Sequence, residues 1–259
     1  MQPAPQKPQY DHAGFTPKAE VPAPSVEKKD EPEAKAPDAA VVDMAKVIEN
    51  LSSPDFDVQA RQMDEIAKKG MTNEADAVPY IEEDVFNKLI DIIDTDSTKL
   101  EGPSEQQLEL RAKIAENDMA KVQAEKDGKD PNSITLPHQV SEQDIELANK
   151  VTPMEQAERN KEYAMYTISA LSKIYVDEIQ KETGNVVPFT DVPGMSAIVD
   201  TLRYSQNPSV KISAMEALAY MKRPEYKDEL TAILNIAKTD KIPAVSKAST
   251  SIIDVINKN

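Results

Sequence analysis

Apolar residues recur at helical spacing along nearly all of the chain after residue 40. Leu230, Ile233, Leu234 and Ala237, for example, are separated by the three- and four-residue intervals that place side chains on one face of an α-helix. The alternation of apolar and polar residues that is typical of a strand is nearly absent, since residues 185–189 are short and interrupted by a proline. The sequence therefore predicts an all-α protein.

Capping residues and prolines mark where these helices begin. Thr152 and Ser104 each stand three residues before a Glu or Gln, which is the spacing of a capping box. Proline is favourable at the first helical position, because the missing N–H needs no partner there. Five prolines have this setting: Pro54, Pro153, Pro208, Pro224 and Pro243. Together the signals predict ten helices, at about 41–51, 55–69, 79–94, 104–127, 141–150, 153–182, 194–205, 208–222, 225–239 and 243–257.

One local pattern recurs along the chain. Val210 follows Asn207-Pro208, and the small residue Ala214 and the apolar residue Leu218 come four and eight positions later. A second copy begins 35 residues further on, and two weaker copies occur earlier. The residues that correspond to Val210 in these copies are Val245, Val58 and Tyr163.

The pattern, clearest in residues 207–257, resembles the second helix of HEAT/armadillo-type α-solenoid repeats, including the HEAT-like repeats of bilin-lyase-type proteins. The resemblance implies a right-handed α–α superhelix, interrupted here by irregular long helices near 104–127 and 153–182. In such repeats the Val and Leu positions face a stacked neighbour, and the small residue lets the paired helix approach closely. An irregular helical bundle stays open as the alternative.

Residues 1–40 differ in composition from the rest and hold eight of the 19 prolines. Few apolar residues accompany these prolines, so we expect a disordered tail before a helical repeat domain at 41–259. No cationic start leads into an apolar run, and no apolar stretch is long enough for a transmembrane helix. The expected location is cytoplasmic; an upstream targeting segment would instead make the protein exported or envelope-associated.

Acidic residues outnumber basic ones, which gives the chain a net charge of −16. Residues 41–130 carry 22 acidic and 11 basic side chains, so most of the excess is concentrated there. This balance disfavours nucleic-acid binding, because phosphates require clustered cations. It favours a basic protein or peptide partner, although charge also serves to keep a helical surface in solution.

Residue types that usually carry catalysis are scarce. The chain has no cysteine, no tryptophan and six glycines, and its two histidines, His12 and His138, are isolated in sequence. Without converging neighbours, a lone histidine does not make a metal site or a catalytic triad. We therefore expect no enzymatic activity and no cofactor.

One acidic segment has partial calcium-loop spacing. In a twelve-residue loop that starts at residue 94, ligand positions 1, 3, 5 and 12 are taken by Asp94, Asp96, Thr98 and Glu105. Position 6, however, is Lys99, where such a loop needs glycine. The alternative is a solvated connection between helices, with Ser104 as the cap of the second one.

Tyrosines are the candidate partner-binding residues. Tyr163 and Tyr166 lie on one predicted helix together with Tyr175. Exposed tyrosines are suited to a peptide groove, whereas buried ones would pack in the core with the hydroxyl at its rim. The sequence leaves both interpretations open.

The predicted function is a non-enzymatic scaffold or adaptor that holds a protein or peptide on an acidic α-solenoid surface. Two alternatives stay open. The first is an enzyme accessory similar to the HEAT-like bilin lyases. The second is a cell-envelope protein that uses its proline-rich tail as a spacer.

Overall fold

The computed structural model describes residues 42–258, and every regular element in this range is helical. The predicted tail, residues 1–40, and His12 lie outside the described residues, so the predicted domain division stays a prediction. The α-helices in this range are α1 (Met44–Leu51), α2 (Phe56–Thr72), α3 (Glu74–Ala77), α4 (Glu83–Ile93), α5 (Glu105–Lys126), α6 (Glu142–Asn149), α7 (Pro153–Thr183), α8 (Met195–Tyr204), α9 (Pro208–Tyr220), α10 (Lys227–Ala237) and α11 (Pro243–Asn257).

Both predicted capping boxes are present. The Ser104 hydroxyl accepts a hydrogen bond from the backbone N–H of Gln107 at 3.2 Å, and the Gln107 side chain accepts one in return from the Ser104 N–H. Thr152 and Glu155 make the same reciprocal pair at the start of α7. Two N–H groups at each helix start, which would otherwise lack partners, are thus satisfied.

All ten predicted helices are confirmed, with ends that differ by a few residues. The prediction missed α3, which is too short for a periodic pattern to show. Pro153, Pro208 and Pro243 are the first residues of their helices, as predicted, and Pro224 opens a 3₁₀ turn. Pro54 is not helical, because Asp55 caps α2 one residue later.

The helices are stacked as four hairpins in two layers. The hairpins pair α1 with α2, α4 with α7, α8 with α9 and α10 with α11. Each helix of a hairpin packs against the equivalent helix of the next hairpin. One layer therefore consists of α1, α4, α8 and α10, and the other consists of α2, α7, α9 and α11. This is the α-solenoid arrangement that the repeats predict. We call these four hairpins the stack.

The four repeat copies all fall in the layer of α2, α7, α9 and α11. Val210 and Val245 are fully buried on α9 and α11, as are the small residues Ala214 and Ser249 four positions later. The Ser249 hydroxyl donates to the carbonyl of Leu234 on α10 at 2.7 Å. The small position therefore brings the two helices of a hairpin close together, as predicted.

The copy at Tyr163 is correct in its helix but wrong in its register. The pattern predicts that Tyr163 is buried like Val210, yet 53% of its surface is exposed on α7. Leu171, eight residues later, is 1% exposed and does belong to the core. A shift of one position along α7 accounts for the difference, because Ala164 and Ile168 are then the buried residues that correspond to Val210 and Ala214.

An insertion explains why the early and late copies have no common spacing. Residues 94–152 separate the two helices of the second hairpin, α4 and α7, and contain α5 and α6. We call α5, α6 and the segment between them, residues 105–149, the arm. The main partner of α5 is α6 rather than a helix of the stack.

One continuous apolar core fills the stack, from Val47 on α1 to Ile256 on α11. The buried apolar residues of the arm lie outside this cluster: Leu110, Ala124 and Ala148. The stack thus has an extended core, whereas the arm has only a small one of its own.

Candidate interaction surfaces

The acidic segment after α4 packs on α7. Ser97, in the 3₁₀ turn Ser97–Lys99, donates a hydrogen bond to the Glu158 carboxylate on that helix. Asp96 accepts a hydrogen bond from the Thr98 hydroxyl at 2.6 Å and pairs with the Lys99 ammonium at 3.1 Å. These two partners, the hydroxyl first, lower the pKa of Asp96.

The structure brings Asp96 and Thr98 together, but it does not complete the predicted calcium loop. Asp94 is the C-cap residue of α4, and Glu105 is the first residue of α5. Among residues 42–258, no three His, Cys, Asp or Glu side chains are placed to hold a metal ion. Lys99 instead supplies the positive charge beside Asp96.

His138 has a fixed place in the arm. Its ring nitrogen Nε2 forms a hydrogen bond with the Glu116 carboxylate on α5. Its backbone N–H and carbonyl form two hydrogen bonds with the Asn117 side chain, both at 3.0 Å. The side chains around His138 therefore hold the segment between α5 and α6 against α5.

The tyrosines on α7 divide between surface and core. Tyr163 is 53% exposed and Tyr166 is 38% exposed, so the core interpretation is wrong for these two. Tyr175 is half-buried against the apolar core, as that interpretation predicted. Because Tyr163 and Tyr166 are three residues apart, they are neighbours on the same face of the helix.

Carboxylates accompany this exposed pair. The Tyr166 hydroxyl donates a hydrogen bond to Glu216 on α9, which connects adjacent helices of one layer. Burial, followed by the Glu216 carboxylate, raises the pKa of Tyr166, and Glu162 adds to the same effect. We call Tyr163, Tyr166, Glu162 and Glu216 the tyrosine patch; it combines two exposed aromatic side chains with two carboxylates.

The base of the arm is fastened to the start of α7. The Arg111 guanidinium binds the Glu155 carboxylate and donates to the carbonyl of Ala148 at 2.7 Å. The Arg111 contact, opposed in part by burial and supported by Thr152, lowers the pKa of Glu155 to about 2. Gln107, also buried, donates to the carbonyls of Leu147 and Lys150.

The outer side of α5 carries a set of exposed apolar residues that the sequence prediction missed. Leu108, Met119 and Val122 are each at least half exposed. The sequence does contain a signal for this surface. Together with Ala112 and Ala115, the three residues form a series with spacings of four, three, four and three residues, which places all five on one side of the helix. We call these five residues the α5 stripe.

A groove of about 280 Å3 lies between α8 and α10, in the layer that also contains α1 and α4. Its lining mixes apolar and charged residues: Phe189, Thr190, Met195, Ser196, Val199, Asp200, Arg203, Glu229 and Ile233. In the part of the chain that the structure describes, no helix combines the length and apolar character that crossing a bilayer requires.

Comparison with known proteins adds distant similarities to solved repeat proteins. No protein-family model matches the chain, and no curated protein matches it. The designed armadillo repeat protein YIII(Dq)4CqI is 13% identical, covers 82% of this chain and 99% of its own, and has a TM-score of 0.24. Two engineered proteins are each 14% identical; they cover 85% and 83% of this chain and 100% and 97% of their own, with TM-scores of 0.28 and 0.24. Similarities this distant carry no argument, and the evidence for the fold is the packing of its own helices.

Proposed function

We propose that this chain is a non-enzymatic interaction scaffold, a HEAT-like stack that holds a basic protein or peptide partner at the tyrosine patch. The observation that carries the proposal is the exposure of Tyr163 and Tyr166 beside Glu162 and Glu216. Tyrosine gives a large, rigid contact area and is enriched among the residues that dominate binding energy.

The chemistry of the patch favours a cationic side chain in the partner. A Lys or Arg placed over a tyrosine ring is attracted by the face of the ring, and a nearby carboxylate adds a charge-assisted hydrogen bond. The net charge of −16 supports the same choice, because it attracts cationic partners and repels anionic ones. The cytoplasmic location stays a prediction from the sequence.

Site-specific crosslinking in cells of the native source tests this function. A photoreactive amino acid replaces Tyr163 in the full chain, and the same amino acid at Val255 is the matched control. Val255 is 58% exposed on α11, in the same layer but outside the patch. We expect a protein crosslinked from position 163 and not from position 255.

Glu216→Lys in the crosslinking chain is the second part of the test. It reverses a patch charge on an exposed side chain, so we expect the crosslink to weaken by about tenfold or more. The same crosslink from both positions, or a crosslink that Glu216→Lys leaves unchanged, contradicts the proposal.

A further inference from the structure

Helix α5 carries apolar side chains on two opposite faces. One face, which includes Leu110 and Ala124, packs inside the arm. The α5 stripe lies roughly opposite, and its Leu108 and Met119 are 52% and 63% exposed. A helix with a single amphipathic face would have polar residues there, so the second face has no explanation in the packing of the arm.

The spacing of the stripe is that of a coiled-coil seam. Leu108, Ala112, Ala115, Met119 and Val122 alternate intervals of four and three residues, which keeps them in line along 15 residues of one helix. Large residues at the ends and alanines in the middle leave room for a partner helix to approach closely at the centre. An extended peptide would not match this spacing, because its side chains repeat every second residue.

Carboxylates border the stripe on both sides. On the helical wheel, Glu109 and Glu116 lie along one border, and Asp118 and Glu125 lie along the other. Arg111 also lies on a border, but its guanidinium is bound to Glu155. These borders correspond to the positions that select the partner in a coiled coil.

These carboxylates have partners within the chain, but they can still bind a cation of a partner helix. Glu109 pairs with Lys113, Asp118 pairs with Lys121, and Glu116 contacts the His138 ring; all three carboxylates are more than half exposed. Exposed pairs of this kind contribute little to stability. A cation on an approaching helix can therefore replace the internal one at small cost.

We propose that the α5 stripe binds a basic amphipathic α-helix of a partner protein, with leucine-type residues at heptad spacing and Lys or Arg at the flanking positions. Charge decides between this partner and a second copy of the chain. A second copy would bring the same acidic borders together, whereas basic flanks meet them with opposite charge. This surface is separate from the tyrosine patch and does not depend on the function proposed for that patch.

Three synthetic peptides of about three heptads each test the proposal with the full-length chain. The first has Leu at the seam and Lys at the flanking positions. The second keeps the Leu seam and has Glu at the flanks; the third keeps the Lys flanks and has Ser at the seam. We expect the first peptide to bind about tenfold or more tightly than either of the others, measured by calorimetry, and to become helical when it binds.

A charge-neutral variant locates the binding. Leu108→Gln with Met119→Gln removes apolar surface from exposed positions, so the stack and the net charge stay unchanged. We expect this double variant to weaken binding of the basic peptide by about tenfold or more. Met71→Gln is the matched control, since Met71 is 70% exposed on α2 and lies outside the arm; it should leave binding unchanged.

Three outcomes would overturn the proposal. The basic peptide binds no more tightly than the Glu or Ser peptide; the double variant binds it as well as the unaltered chain does; or the chain alone dimerises in sedimentation and the double variant is monomeric. The last outcome would assign the stripe to a second copy. None of these results affects crosslinking at Tyr163, so the two proposals can fail independently.

Discussion

The stack and the arm are both built from helices, yet different interactions hold them together. In the stack, large apolar side chains such as Leu218, Leu171 and Ile168 are at most 1% exposed and belong to one core. In the arm, Gln107 and Asn117 occupy buried positions on α5 and bind backbone groups of the opposite segment. The stack therefore depends on apolar burial, and the arm depends on hydrogen bonds with few apolar contacts.

This difference has a consequence for function. Each hydrogen bond contributes only about 1 kcal/mol net, so we expect the arm to open locally before the stack unfolds. The arm also leaves the α5 stripe uncovered, whereas the stack buries its apolar faces. A surface that is exposed and supported by a less stable unit is suited to reversible association.

The largest expected effect comes from a cavity in the stack. Leu218→Ala should lower the free energy of unfolding by about 2–5 kcal/mol, because Leu218 is fully buried in the core of the stack. Urea denaturation followed by circular dichroism measures this loss. Leu110→Ala is the matched change in the arm, where Leu110 is 8% exposed, and it should cost clearly less. Equal losses would mean that the arm and the stack unfold as one unit.

A second large effect is expected at the turn before α8. Gly194 has φ +75°, and a Cβ there would lie 2.5 Å from Cγ2 of Ile168 on α7. Gly194→Ala should cost about 1–2 kcal/mol for the left-handed backbone and about 1–3 kcal/mol more for the overpacked contact. Thermal unfolding of the variant measures the sum.

Gly184→Ala separates these two contributions. Gly184 ends α7 with φ +72°, but a Cβ there meets nothing within 4 Å. It should therefore show the backbone cost alone. If the two variants were equally unstable, the contact between the turn and Ile168 would contribute nothing to the stack.

A pH-dependent effect is expected at the junction of the two regions. The pKa of the Glu155 carboxyl is lowered from 4.5 to about 2, first by Arg111. Because the folded pKa is depressed, the stabilisation is complete above about pH 4.5 and is lost as pH falls toward 2. Glu155→Gln should cost on the order of 1–3 kcal/mol at neutral pH, with allowance for solvent screening, and much less near pH 2.

The measurement of Glu155→Gln at several pH values needs a control carboxylate that does not bind Arg111. Glu125→Gln changes the same charge on an exposed residue of α5. Its effect on the unfolding free energy, measured by urea denaturation between pH 5 and 2, is the background that is subtracted from the effect of Glu155→Gln. A Glu155→Gln effect that is constant over this range would show that the Arg111 contact does not fasten the arm.

The two regions also differ in how much the sequence could predict. The stack was predictable, because prolines, caps and the spacing of Val210 and Ala214 are local signals that also fix the packing. The rotation of α7 was not, since whether Tyr163 faces the core depends on tertiary contacts that a pattern of one sequence does not specify. The α5 stripe was missed because its apolar spacing is the same for a buried face and for a docking face.

The smallest effect on overall stability, and the sharpest test of the comparison, is expected from Asn117→Ala. Asn117 makes the two hydrogen bonds to the His138 backbone, and only the contact of the His138 ring with Glu116 would stay, so its loss should loosen the segment between α5 and α6. If the arm opens as a local unit, amide hydrogen exchange in residues 127–141 should accelerate by about tenfold, which corresponds to about 1.4 kcal/mol. Exchange on α9 and the urea midpoint should stay unchanged, because the stack does not use these bonds. Faster exchange on α9 as well would show that the arm is part of the stack's cooperative unit.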